Sequence, residues 1–263
     1  MTPTASVVVT GGARGIGRGI AEIMVRRGFH VLITDVNGEA VRRTAEEIGA
    51  VAGLQQDVRD EASHQAVAEE AKRHGPLAAW FNNAGVGNDG ALMELSSAEV
   101  EQLVQVNLMG AIWGMRAALG AFGPEGGDIV NTASMSGHGP VPGLSVYAAT
   151  KAAVVSLTMS VHVESHKNVR VHALCPDGVA TDMVESMKHH GRAKALVHSG
   201  SRLLLIEEAA QAACDLVGSK RVIRSVPSWR AVLMRFTSVT PSVSMKAEKF
   251  FVWEGRRRMR RQS

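Results

Sequence analysis

The sequence predicts a doubly wound α/β fold, a parallel sheet with helices on both faces. Short β-branched runs alternate with longer stretches of helical spacing through the first 200 residues. The runs at 6–10 and 127–132 lack polar alternation, as strands buried on both faces do. No repeat period or low-complexity linker interrupts the alternation. Each run therefore reaches the next through a helix, the connection that a right-handed parallel crossover needs. Residues 1–226 read as one such domain, and 227–263 as a basic, partly helical extension.

Taken in order, SVVVT (6–10), FHVLIT (29–34), residues 50–54, LAAWFN (77–82), GDIVNT (127–132) and VRVHAL (169–174) are the predicted strands. Helical spacing fills 15–27, 38–49, 60–74, 96–119 and 147–166. Beyond residue 200 the pattern weakens to a helix at 206–218 and a strand at 222–226. Pro227 and Pro241 then punctuate two short segments. In SWRAVLMRFTSV (228–239), Trp229, Val232, Leu233 and Phe236 share one helical face, flanked by Arg230 and Arg235.

Composition narrows the function. With 45% apolar and 21% charged residues the chain can bury a sizeable core, which excludes wholesale disorder. Aromatic residues, at 4%, are too scarce for a single-stranded nucleic-acid platform. MTPTAS brings no basic segment ahead of its apolar run, and VVV at 7–9 is short for a signal peptide. No stretch reaches the ~18 apolar residues of a spanning helix, so a soluble, cytoplasmic protein is expected. Cys175 and Cys214 are too few for a disulfide framework and read as small buried hydrophobes. Ten histidines are scattered, with His189-His190 the adjacent pair and no HExxH motif, so no metal is expected. The net charge of +4 is unevenly spread: residues 1–219 carry −6, whereas 220–263 carry 12 Lys/Arg against 2 Asp/Glu.

Residues 10–17, TGGARGIG, follow the first strand and open the first helix. Glycine there lets the backbone approach a diphosphate, whose charge the free N–H groups and helix dipole favour. Gly11, Gly15 and Gly17 fill the key spaces, and no GK[ST] follows, against a nucleotide-hydrolysing loop. Asp35 ends the second run 20 residues after Gly15, where a carboxylate accepts from adenine-ribose hydroxyls and repels a 2′-phosphate. NAD is therefore expected over NADP. Arg14 pulls the other way, since a guanidinium beside the loop pairs with such a phosphate.

TGGARGIG, then NNAG at 82–85, then Tyr147-Ala-Ala-Thr-Lys151 together resemble the short-chain dehydrogenase/reductase family, with its Rossmann-like fold. Asp57-Val58, Asn107 in VNLMG, Ser134 in IVNTAS and PDGVATDM at 176–183 extend the likeness over roughly residues 5–220. The resemblance implies an NAD(P)-dependent oxidoreductase acting on alcohols and ketones. It also implies a homo-oligomer formed through helices 96–119 and 147–166. Cofactor contacts are implied for Ile16 in the loop, Asp57 and Val58 at adenine, and Asn83, Ala84 and Gly85 under the adenosine ribose. Pro176, Val179 and Thr181 match a stretch that meets the nicotinamide. Asp177 stands where glycine is usual, with Gly178 left to shift the turn.

Tyr147 and Lys151, four apart, share a helix face. A phenol titrates near ~10, and a nearby ammonium and an oxidised nicotinamide both favour phenolate. Ser134, at the end of a strand, faces the crevice in which doubly wound sheets bind ligands. There its hydroxyl would hold a substrate oxygen while Tyr147, the only tyrosine of the chain, moves the proton. Ser136, two residues on, does not match the spacing but can touch substrate. The resemblance assigns Lys151 to the nicotinamide ribose and Asn107 to a water-linked relay toward Lys151.

Residues 182–204 fall where the family carries a substrate lid. Met183, Val184, Met187, Leu196, Val197, Leu203 and Leu204 there either line an apolar pocket or pack the lid on the core. A lipophilic secondary alcohol or ketone is the expected substrate. For the tail, one reading lays 228–261 on an anionic membrane surface. The favoured one packs its stripe over the cleft or a second subunit and leaves RRRMRRQS solvated and disordered. The rival functions are an NADPH-preferring carbonyl reductase using Arg14, and a non-catalytic dinucleotide-binding protein docked to a membrane. Nucleic-acid binding is a poorer third reading.

Overall fold

Val7 and Val9 of the first strand point into one apolar layer and Val8 into the other, so this strand is covered on both sides. The computed structural model describes residues 5–87, 89–187, 191–200, 202–239 and 241–262. Its elements run β1 (Ser6–Thr10), α1 (Gly15–Arg26), β2 (His30–Asp35), α2 (Gly38–Ile48), β3 (Ala52–Gln55), α3 (Glu61–Arg73) and β4 (Leu77–Asn82). Then follow α4 (Ser97–Val104), α5 (Gly110–Ala121), β5 (Gly127–Thr132), α6 (Ser145–Glu164) and β6 (Val169–Pro176). The chain continues through α7 (Asp182–Glu185), α8 (Arg192–Val197), α9 (Ile206–Cys214), β7 (Ile223–Val226), α10 (Ser228–Val239) and α11 (Pro241–Gln262).

The seven strands are all parallel, in the order β3-β2-β1-β4-β5-β6-β7. Ile20, Met24, Val41 and Cys214 bring α1, α2 and α9 onto one face with Val7, Ile33 and Phe81. Val67, Met115 and Val154 bring α3, α5 and α6 onto the other with Val8, Trp80 and Ile129. Because strand order reverses between β1 and β4, their carboxyl ends splay apart and open a crevice.

Three expectations are corrected. The predicted single helix at 96–119 is two helices joined by a π turn, Gln105–Met109, centred on buried Asn107. Among the described residues one helix, Ser145–Glu164, is long and apolar enough to cross a membrane by length and composition. It is instead packed against the sheet, with Lys151, Thr150 and Thr158 buried along it. The segment RRRMRRQ, 256–262, is not disordered: α11 continues to Gln262.

On α10 the apolar stripe divides. Val232 and Phe236 are exposed, at 69% and 60%, while Trp229 and Leu233 edge the crevice. The inward face carries Ala231, buried, and Ser238, whose hydroxyl donates to the carbonyl of His138 at 3.0 Å. Helix α11 lies close on α8 at Gly255, where a Cβ would strike the carbonyl of Ala195. Cys175 and Cys214 are buried, and burial pushes both thiols up to about 12.

Candidate active site

Thr10, the last residue of β1, ties the two sides of the crevice. Its hydroxyl accepts from the backbone N–H groups of Asn83 and Ala84 at 3.0 and 3.1 Å. The Asn83 amide in turn donates to the carbonyls of Thr10 and Gly11 and accepts from the Thr132 hydroxyl at 3.2 Å. This lattice fixes the glycine loop against the end of β4. Gly11 and Gly15 adopt φ of +63° and +56°, a left-handed conformation that favours glycine. At Gly17 a Cβ would run into the Gly11 carbonyl and stand 2.6 Å from the Asn83 amide nitrogen, so a side chain there would force the loop away from the helix.

A cleft of about 1330 Å³ lies above these ends. Gly11, Arg14, Gly15, Ile16 and Asp35 line one end, with Asp57, Val58, Asn83, Ala84 and Gly85 beside them. Asp35 accepts from the N–H groups of Ala13 at 3.4 Å and Asn37 at 3.1 Å, which fixes its carboxylate at the rim of β2. Ser134, Tyr147, Lys151, Pro176, Val179 and Thr181 line the same cleft, Thr181 close to Gly15. Lys151 donates to the Thr132 carbonyl at 2.8 Å and lies 5.7 Å from the centre of the Tyr147 ring.

Two expected site residues stand behind the wall rather than in it. Gly17 supports the loop, as described. Asn107 is buried, its amide donating to the Val86 carbonyl and accepting from the Val86 N–H, both at 2.9 Å. A Cβ on Gly85 would lie 3.2 Å from the Asn107 amide oxygen and 3.5 Å from Lys151 Nζ, so both groups converge under that glycine.

A family model described as short chain dehydrogenase matches residues 5–192. Sorbitol dehydrogenase from Cereibacter sphaeroides is 39% identical over 69% of this chain and 74% of its own length. Carbonyl reductase family member 4 from Xenopus laevis is 33% identical, over 68% and 78% respectively. The crystal structure of a short-chain dehydrogenase/reductase from Burkholderia phymatum in complex with NAD superposes with a TM-score of 0.81. It is 27% identical and covers 92% of this chain and 96% of that one. This chain belongs to the short-chain dehydrogenase family.

In this short-chain dehydrogenase, burial raises the Tyr147 phenol above its ordinary value, and a hydrogen bond with Ser134 offsets part of the rise. The sequence reading expected a lower phenol with both the Lys151 ammonium and an oxidised nicotinamide beside it. That ammonium is itself buried, and burial lowers Lys151 to about 8. The protein's own groups therefore do not lower the phenol.

Arg14 lines the cleft and is held at its rim by the lid. It donates to Asp182 at 2.6 Å, bridging the glycine loop to the lid, with both side chains exposed. Asp57 holds the guanidinium of Arg59, which also lines the cleft and went unnoticed in the sequence. Of the expected lid residues, Met183, Val184, Met187, Leu196 and Val197 line the cleft. Leu204 instead packs with Val179 and Ala209 in a small core. Leu203 likewise stays out of the cleft wall, against Gly178. Ser136 lines the cleft, and its buried hydroxyl has no hydrogen-bond partner among the described residues.

Asp177 was the departure whose consequence the sequence left open. Its carboxylate is nine-tenths buried and pairs with Arg230 of α10 at 3.0 Å. Arg230 also donates to the Leu196 carbonyl at 2.9 Å and the Ser199 hydroxyl at 3.0 Å. One guanidinium thus joins the tail, the loop after β6 and the lid. His189 and His190 lie outside the described residues. Among the described residues, no three His, Cys, Asp or Glu side chains gather as a metal would require.

Proposed function

We propose that this chain is an NAD-dependent oxidoreductase that interconverts a lipophilic secondary alcohol and its ketone, with Tyr147 as general acid and base. The observation that carries the reading is the half-buried Tyr147, which lines one crevice with Ser134, Lys151 and the glycine loop. A bound nicotinamide dinucleotide supplies a hydride donor or acceptor and, when oxidised, a positive charge. The loop fits such a group: Gly11 and Gly15 line the cleft in a left-handed turn at the start of α1, and Gly17 admits no side chain.

Within that frame Asp35 accepts from the adenine-ribose hydroxyls and disfavours a 2′-phosphate. Arg14, engaged with Asp182, offers that phosphate no counter-charge in this arrangement. Ser134 orients the substrate oxygen, and Tyr147 gives it a proton on reduction or removes one on oxidation. Lys151 holds the nicotinamide ribose, and Asn107 steadies the Gly85–Val86 backbone beneath it. Met183, Met187, Leu196 and Val197 supply an apolar wall for the substrate.

Fluorescence titration with NADH and NADPH tests the cofactor, and tighter NADPH binding would overturn the reading of Asp35. Reduced-nicotinamide absorbance over a panel of secondary alcohols, steroids and acyl ketones tests the substrate. A cytoplasmic location and a homo-oligomer through α5 and α6 belong to the same reading. The exposed Leu119, Met159 and Val163 support the second.

A further inference from the structure

Arg230 uses two sides of its guanidinium. Nε stands 3.0 Å from the Asp177 carboxylate, while Nη2 donates to the Leu196 carbonyl at 2.9 Å and to the Ser199 hydroxyl at 3.0 Å. The Ser199 hydroxyl and backbone N–H both donate to the same carbonyl, at 2.6 and 3.1 Å. The carboxyl end of α8 is therefore gathered around one nitrogen supplied by α10. A Cβ on Gly200 would strike Arg230 Nη1 and stand 3.0 Å from the Asp177 carboxylate, so the chain leaves that space to the pair. A buried ion pair adds little net stability over apolar residues of similar volume, whereas its directional bonds can single out one arrangement.

That arrangement brings three parts of the cleft wall together. The lid helix α8 contributes Leu196 and Val197, α10 contributes Leu233 and Met234, and the loop after β6 contributes Pro176 and Val179. Lid and loop are in close contact: a Cβ on Gly178 would strike Val197 and lie 2.9 Å from Leu203 Cδ2. Arg230 bonds with both, and it lies beyond the residues 5–192 that match the family. We propose that Arg230 is a specificity-determining positioning residue. It holds the lid's apolar wall against the loop after β6 and so sets how tightly the pocket grips the apolar part of the substrate. The inference rests on the proposed function and deepens it: selectivity for longer apolar carbonyl compounds depends on a side chain of the C-terminal segment.

The test uses the full chain saturated with NADH and the 2-alkanones from butanone to 2-decanone. In the parent, kcat/KM is expected to climb with each methylene by up to about fourfold, the transfer free energy of one buried CH2. Because R230M alone strands the Asp177 carboxylate, the comparison is made in D177G/R230M, which has no orphaned charge. Gly200→Ala serves as the second variant, since it displaces the guanidinium with both charges kept. A merely structural role would leave the climb intact in D177G/R230M once its stability is restored. The climb is instead expected to flatten below about twofold per methylene in both variants. A climb absent from the parent, or one that survives in either variant, would overturn the proposal. Hydrogen exchange of residues 192–199, read by mass spectrometry against 127–132 of β5, needs no turnover. It should quicken at least about tenfold in both variants, and equal exchange would overturn the proposal. If no carbonyl compound is reduced at all, the proposed function fails, while hydrogen exchange still decides whether Arg230 holds the lid.

Discussion

Arg230 of the C-terminal helix α10 meets Asp177, in the loop after β6, at 3.0 Å, and both side chains are withdrawn from solvent. Burial raises the Asp177 carboxyl, while Arg230 and the Gly178 N–H work against the rise. The helix therefore holds in place the loop that follows the sheet's sixth strand. Arg230→Met strands a buried carboxylate and is expected to cost about 3 kcal/mol of stability. Asp177→Gly together with Arg230→Met should cost less than Arg230→Met alone, because the orphaned charge is gone. Urea denaturation of the two variants, with dinucleotide affinity measured alongside, checks both statements. Equal stability in the Arg230→Met variant and the parent would contradict them.

Gly17 admits no Cβ without displacing Gly11 or Asn83. Gly17→Ala should therefore weaken dinucleotide binding at least about tenfold, roughly 1.4 kcal/mol, by moving the loop. Fluorescence titration with NADH reads the change, and circular dichroism establishes that the fold persists.

Asp128, on β5, is buried and accepts from Arg170 at 2.8 Å and His172 at 2.9 Å. Burial works to raise this carboxyl, but the bonds from His172 and Arg170 outweigh it and leave it below its ordinary 3.8. Its contribution is thus present above that ordinary value and is lost as pH falls through the lower folded value. Asp128→Asn should flatten the acid limb of stability against pH below about 4 and cost about 3 kcal/mol at neutral pH. Denaturant melts between pH 2 and 7 provide the comparison.

Lys151 shows the opposite sign. The unfolded lysine keeps its proton to about 10.5 and the folded one only to about 8. Between those values the unfolded chain binds more protons, so this group makes stability rise with pH across that window. Lys151→Met should remove the rise. Because the phenol also lies high, alcohol oxidation, which needs the phenolate, should keep rising with pH into the alkaline range, whereas ketone reduction should hold until the phenol itself loses its proton.

Much of this architecture was legible in the chain because each strand is continuous and β-branched and each early helix has an apolar face. SVVVT, LAAWFN and GDIVNT reappear as β1, β4 and β5 with the same ends. The break at Asn107 was hidden, because a π turn keeps helical spacing on either side of it. Tyr147 and Lys151 could be paired from sequence, since four residues make one helical turn. Asp177 and Arg230 could not, because only the packing of α10 on the sheet brings them together. On α10 periodicity placed Trp229, Val232, Leu233 and Phe236 on one face, and all four are exposed, while the inward anchor is a cation. Hydrophobic patterning does not register an arginine buried by its partner. In α11 the basic run read as a solvated tail because nothing local revealed Gly255 lying against Ala195.

The most direct measurement is turnover by Tyr147→Phe, with NADH binding followed by fluorescence on the same preparation. Loss of at least about a thousandfold in kcat, with dinucleotide affinity within about threefold of the parent, is the expected result. Turnover near the parent rate would contradict the assignment of the proton to that phenol.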